Sequence, residues 1–121
     1  MTLLDLVPDK QPIDWDAIAR YPWVRAMMTC QQEPGYHDEG DVWTHTKMVC
    51  TALTGNPEWA VMTDRSAMFL ACLLHDVGKP ECTRVEEGRI ASRGHSAVGE
   101  SIARRTLWSE GVPFLLREKV A

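Results

Sequence analysis

The segment Ala67-Met-Phe-Leu-Ala-Cys-Leu-Leu74 is an unbroken apolar run that ends on His75-Asp76 and then Val77-Gly78-Lys79-Pro80. With Asp64 in front as a cap, it reads as a helix over residues 65–76, stopped by the glycine and the proline. Apolar residues nearly all round its second half require neighbours on most sides, so this helix reads as the central one. Its carboxyl end then carries an imidazole and a carboxylate where burial is costly without compensation. A divalent cation compensates both, and the negative partial charge of a helix carboxyl terminus favours it.

Helices are expected on either side. Asp14 reads as a cap for residues 15–20, and Pro22 opens a helix reaching Thr29. Gln31 to Gly40 is a loop by composition. Asp41 caps a helix from Val42 to about Leu53, ended by Gly55-Asn56-Pro57. On it Val42, His45, Val49 and Ala52 follow a three-and-four spacing, which puts His45 on the inward stripe. Cys82 to Arg93 contains two strand-like runs about Glu87-Gly88, the pattern of a small hairpin. A helix starting near Ser96, with Val98, Ile102, Ala103 and Leu107 along one face, is stopped by Gly111. Pro113 opens a last helix over residues 114–121, whose apolar pattern has no stop signal behind it; it reads as the start of a longer protein or as a frayed terminus.

A chain of 121 residues that is 45% hydrophobic and 25% charged bounds this to one domain, residues 1–121, with 1–35 as an amino-terminal helical extension. A net charge of −4 gives no general attraction to nucleic-acid backbones. Contact with one requires a local patch, for which Arg84, Arg89, Arg93, Arg104, Arg105, Arg117 and Lys119 are candidates, although scattered surface charge accounts for each singly. The central run is about half of the roughly 18 apolar residues of a membrane span, and the amino terminus lacks a secretory pattern. Cys30, Cys50, Cys72 and Cys82 form no C-x-x-C pair, which fits a reducing cytoplasm with Cys72 as a small core residue.

His45, His75 and Asp76 offer the donor set of a first-row divalent metal: two imidazoles and a carboxylate, with positions left for water. Manganese, nickel, cobalt or iron suits it better than magnesium, which prefers all-oxygen octahedra. His95, at the start of the following helix, is a candidate to hold a second ion or to protonate a leaving group. Lys79, Arg93 and the amides around Ser96 are candidate contacts to phosphate oxygens. His37 and Glu39 lie in the loop before the first histidine helix, within reach of the site's mouth or simply solvated. Trp43, Trp59 and Trp108 are candidates to stack on bases, with core packing the better reading for at least two. A lone histidine on an apolar face is more often a hydrogen-bonded core residue than a ligand. The weight therefore rests on the joint pattern of an inward His, His-Asp closing a buried helix, a Gly-Lys stop and a further His at a helix start.

At these residues the chain resembles the HD superfamily of metal-dependent phosphohydrolases, over residues 35–121. His45 matches the first histidine of that family and Leu74-His75-Asp76-Val77-Gly78-Lys79 its signature segment. The resemblance implies an all-α bundle with the metal between helices, and a late aspartate ligand whose position falls beyond Ala121, so the chain is expected to lack the family's carboxyl-terminal helices. A narrower resemblance runs through His37-Asp-Glu-Gly-Asp-Val-Trp-Thr-His45-Thr, Lys79-Pro-Glu-Cys-Thr83, Glu87-Gly-Arg-Ile90, Gly94-His95-Ser96 and Arg117-Glu-Lys-Val120. Together these are similar to the amino-terminal HD module that precedes a P-loop kinase domain in bacterial nucleic-acid end-healing proteins. It implies a phosphoesterase acting on 2′,3′-cyclic or 2′-phosphate ends of nucleic acid or nucleotides. No Gly-x-x-x-x-Gly-Lys-Ser/Thr motif occurs in the chain. Two rivals stand beside this expectation: a small-nucleotide nucleotidase using the same metal, and a regulatory HD module without turnover.

Overall fold

The computed structural model describes residues 2–31, 40–86, 89–92, 95–112 and 120. The chain is mostly helical. After a 3-10 turn at Leu4–Leu6 come α1 (Trp15–Ile18), α2 (Pro22–Met28), α3 (Val42–Gly55), a second 3-10 turn at Pro57–Val61, α4 (Arg65–Leu74), α5 (Lys79–Cys82) and α6 (His95–Ser109). Between α5 and α6 the strands β1 (Thr83–Glu86) and β2 (Arg89–Ser92) pair antiparallel, from Thr83 opposite Ser92 to Glu86 opposite Arg89. No helix among the described residues is long and apolar enough to cross a membrane.

The helix starts follow from side-chain caps. Asp14 accepts from the Ala17 amide, and Asp41 accepts from the amide of Thr44 at 2.8 Å and from its hydroxyl at 3.0 Å. Pro22 sits in the first turn of α2, where its missing N–H is no loss. At the other end, Gly111 stops α6 with a φ of 74°. Its amide bonds the Trp108 carbonyl and the Val112 amide bonds that of Leu107, the paired pattern of a left-handed glycine cap with buried Leu107 and Val112 behind it.

α4 buries Ala67, Phe69, Leu70, Leu73 and Leu74, and α3 lies against it with Val42, Trp43, Thr46 and Cys50 buried. The amino-terminal segment belongs to the same core, since Leu3, Ile18, Val24 and Met27 are fully buried in one cluster with Phe69, Leu70 and Leu107. Trp43 packs edge-on to Trp15 at 5.4 Å and Trp59 lies against Phe69, so both serve the core. Trp108, by contrast, is 71% exposed.

Several sequence expectations are corrected. The buried face of α3 is Val42, Trp43, Thr46 and Cys50; Val42 lies inward as expected, whereas His45 and Val49 are half-buried at the edge and Ala52 is exposed. α1 ends at Ile18 and α4 at Leu74, each short of the expected bound. Asp64 stands before α4 without a side-chain capping bond. After the turn a short helix, α5, begins at Lys79, with Pro80 tolerated in its first turn because that position needs no donor. The expected helix over 114–121 lies outside the described residues except for Val120.

Candidate metal centre

α4 ends at Leu74, and His75 to Gly78 form a turn stitched by Val77 N–H donating to the Leu74 carbonyl and Lys79 N–H to that of Asp76, both at 3.1 Å. The turn keeps the Asp76 carboxylate buried while His75 stays exposed on the rim. His45 reaches the same point from the edge of α3, its ring centre 5.7 Å from that of His75. One ligand atom from each of His45, His75 and Asp76 lies within 4.8 Å of the others. Ligands at roughly 2.1 Å from a shared ion are at most about 4 Å apart, so small side-chain rotations close the set. The edge position of His45 serves this purpose.

The protonation geometry of His75 supports the same conclusion. Its Nδ1 lies 2.6 Å from the Cys72 carbonyl oxygen, which can only accept, so Nδ1 carries hydrogen and Nε2 is the free ligand nitrogen of the neutral ring. Nε2 in turn lies 3.1 Å from Asp76 Oδ2, which also only accepts. Two acceptors at that distance need a proton or a metal cation to share. Without metal the proton does this: the hydrogen bond to Asp76 raises the His75 pKa, against the opposing effect of burial.

Asp76 shows the complementary balance. Burial pushes its carboxyl up, but the hydrogen bond and charge of His75, together with Lys79, outweigh that and hold it at about 2. Lys79 Nζ lies 3.3 Å from the same Oδ2 and both side chains are largely buried. The pair is set by one turn of chain, i to i+3. Two cations converge on a single carboxylate oxygen, which is where a divalent ion would exert its charge. The donors could therefore hold a metal ion, with Lys79 beside the carboxylate that would bind it.

α6 is fitted closely to this turn. A Cβ built on Gly99 would come within 3.3 Å of the Gly78 amide nitrogen and 3.6 Å of its Cα. A side chain there would be tightly placed, and the turn would have to give by a few tenths of an ångström to admit it. His95 and Ser96 lie in the first turn of α6, residue 95 about one turn before Gly99 along the backbone. Arg93, His37 and Glu39 lie outside the described residues.

Beside His75 opens a cleft of about 300 Å³, lined among the described residues by Ala71, Leu74, Gly99, Glu100, Ala103 and Val120. Sequence reading did not single out Glu100. The available signal was Gly99, because a glycine inside a helix costs roughly 1 kcal/mol relative to alanine and so marks a close approach. Compared with known proteins, the chain matches no family model, no curated protein and no solved structure. Function is therefore read from the geometry of the site.

Proposed function

We propose that the chain is a metal-dependent phosphohydrolase of the HD type, cleaving phosphomonoester or phosphodiester bonds at 2′,3′-cyclic or 2′-phosphate ends of nucleic acid or nucleotides. The observation that carries this reading is the convergence of His45, His75 and Asp76 from two helices to within 4.8 Å. A divalent ion of manganese, nickel, cobalt or iron held there supplies Lewis acidity toward water and neutralises charge on phosphoryl oxygens. The Cys72 carbonyl fixes the ring of His75 so that Nε2 faces the site. Asp76 stays ionised through the physiological range because its carboxyl is held at about 2. Lys79 balances Asp76 and contacts a phosphate oxygen when substrate enters. His95 holds a second ion or gives a proton to the leaving oxygen, and Ser96 and Arg93 contact the phosphate. The approach of Gly99 to Gly78 supports this, because it packs the amino-terminal half of α6 onto the His75–Gly78 turn. A cytoplasmic setting, with a P-loop kinase domain joined to this one, completes the proposal; the four free cysteines fit such a compartment.

The test is metal analysis of the purified chain, paired with release from a generic aryl phosphodiester and a 2′,3′-cyclic nucleotide across several divalent ions. Near-stoichiometric metal with manganese- or nickel-dependent release is the expected result. Bound metal without turnover would reassign the chain as a regulatory module. Neither metal nor turnover would return His45, His75 and Asp76 to a purely structural role.

A further inference from the structure

Tryptophan is usually enclosed, because its large ring has so much apolar area to bury. Trp43 and Trp59 follow that rule as core residues, whereas Trp108 stands 71% exposed in the last turn of α6. It is held firmly there: its carbonyl accepts the Gly111 N–H in the glycine cap, and its neighbour Leu107 is fully buried. Helical spacing sets Glu100, Arg104 and Trp108 on one ridge, each four residues after the last, with the exposed Arg105 along its flank. The ridge starts beside the candidate metal centre, since Glu100 lines the cleft next to His75, and it advances about 12 Å along the helix to reach Trp108. Arg104 Nη1 lies 2.6 Å from Glu100 Oε1 and offsets that carboxylate, so Arg105 is the cation in excess along this face of α6. The next acid along the chain, Glu110, is engaged elsewhere, accepting the Leu3 N–H at 2.9 Å.

A single aromatic ring set among arginines and serines suits one class of partner. A protein docking site needs a contiguous apolar patch, and the α6 residues flanking Trp108, namely Arg104, Arg105 and Ser109, are polar. A nucleic-acid strand needs a π-face for a base and a cation for an adjoining phosphate, and the ridge offers both. We propose that Trp108 and Arg105 form a holding surface for single-stranded RNA, one base stacking on the indole and a phosphate pairing with the Arg105 guanidinium, a short reach of strand from the end being processed. The placement rests on the phosphohydrolase reading above, whose 2′-phosphate chemistry selects RNA, and narrows its substrate to the end of a strand rather than a free nucleotide. Both residues lie away from the reacting atoms, so they act on strand affinity and KM.

The experiment follows the fluorescence anisotropy of a labelled oligoadenylate RNA titrated with the metal-free full chain across a salt series. Trp108→Ala is expected to weaken binding about ten-fold, the worth of one base–aromatic stack, and Trp108→Phe to keep part of it. Arg105→Ala weakens binding and makes it less salt-dependent, by the loss of about one phosphate contact. Val61→Ala, which truncates an exposed apolar side chain in the second 3-10 turn, leaves affinity unchanged. Equal RNA affinity in wild type and Trp108→Ala, or no measurable binding by the wild type, overturns the proposal. So does self-association that Trp108→Ala abolishes while RNA affinity stays the same, which would give the ring to a protein contact. Metal-loaded chains are assayed alongside on an oligoadenylate ending in a 2′,3′-cyclic phosphate and on 2′,3′-cyclic AMP; Trp108→Ala should raise KM for the first and leave the second unchanged. Hydrolysis of both substrates with Trp108→Ala silent on each defeats the RNA surface alone. Trp108-dependent RNA binding with neither substrate hydrolysed by the wild type defeats the phosphohydrolase reading and leaves the surface standing.

Discussion

Asp76→Asn in the metal-free chain isolates the electrostatic worth of the buried carboxylate while nearly preserving its shape. Burial opposes ionisation of Asp76, and the contacts from His75 and Lys79 reverse that, so its carboxyl is held at about 2 in place of the ordinary 3.8. At about 1.4 kcal/mol for each factor of ten in proton affinity, this is about 2 kcal/mol of stability. The sign follows from the depressed pKa: the contribution is fully present above the unfolded value of 3.8 and is lost as pH falls through about 2. At pH 6, where the imidazolium also persists, Asp76→Asn should be about 2 kcal/mol less stable than wild type, a lowering of Tm of roughly 5–10 °C for a chain of this size. Urea unfolding at pH 6 and again at the lowest pH where both proteins fold would measure it. The gap should narrow on acidification. A variant as stable as wild type at pH 6, or a deficit that persists unchanged into acid, would refute the idea that His75 and Lys79 hold this carboxylate ionised.

His75 titrates in the opposite sense, its pKa being raised by Asp76, so its contribution is complete below 6.5 and is lost as pH rises through the folded value. The same proton competes with metal for Nε2, and metal retained after dialysis should rise with pH over that window; retention flat with pH would contradict the competition. His45→Ala and His75→Ala should each lose metal by at least ten-fold in affinity while far-ultraviolet circular dichroism stays near wild type, and wild-type metal content in either would remove that residue from the ligand set. Gly99→Ala gains helix propensity of about 1 kcal/mol but drives a Cβ to 3.3 Å from the Gly78 amide, so it should be neutral or destabilising and should lower turnover; clear stabilisation by thermal melt would show that α6 does not press on the turn. Gly111→Ala places a Cβ at a φ of 74° and should cost about 1 kcal/mol in urea, with no change in metal content.

Much of the helical plan was legible because its signals are local. Asp14, Asp41, Pro22 and Gly111 act within a turn or two of their own positions, and their side chains or dihedral preferences bound α1, α2, α3 and α6 where the sequence suggested. The apolar run 67–74 likewise identified the central helix, since so little polar surface leaves no solvated face. Less legible was the exit from that helix. Leu74 ends it and Lys79 starts another, because packing of the Gly78 backbone against Gly99 rewards a tight turn that glycine and proline propensities alone do not specify.

The candidate site divides in the same way. Residue types and the adjacency of His75 and Asp76 to a buried helix end were written in the sequence, and with them the donor set for a transition metal. The face on which His45 sits was not. Periodicity assigned it to the core stripe with Val42, whereas in the fold Trp43, Thr46 and Cys50 fill the core beside Val42 and His45 lies half-buried at the edge, its ring 5.7 Å from that of His75. Glu100 entered the account only through tertiary structure. A glutamate on an exposed helix face is indistinguishable from any other in sequence, and only the docking of α6 on α4 puts it on the wall of a cleft next to His75. The sequence by itself determined the helices and the chemical identity of the ligands, since both depend on residues close along the chain. Tertiary packing decided which of them meet, because which groups come together depends on how the volumes of distant side chains fill a shared core.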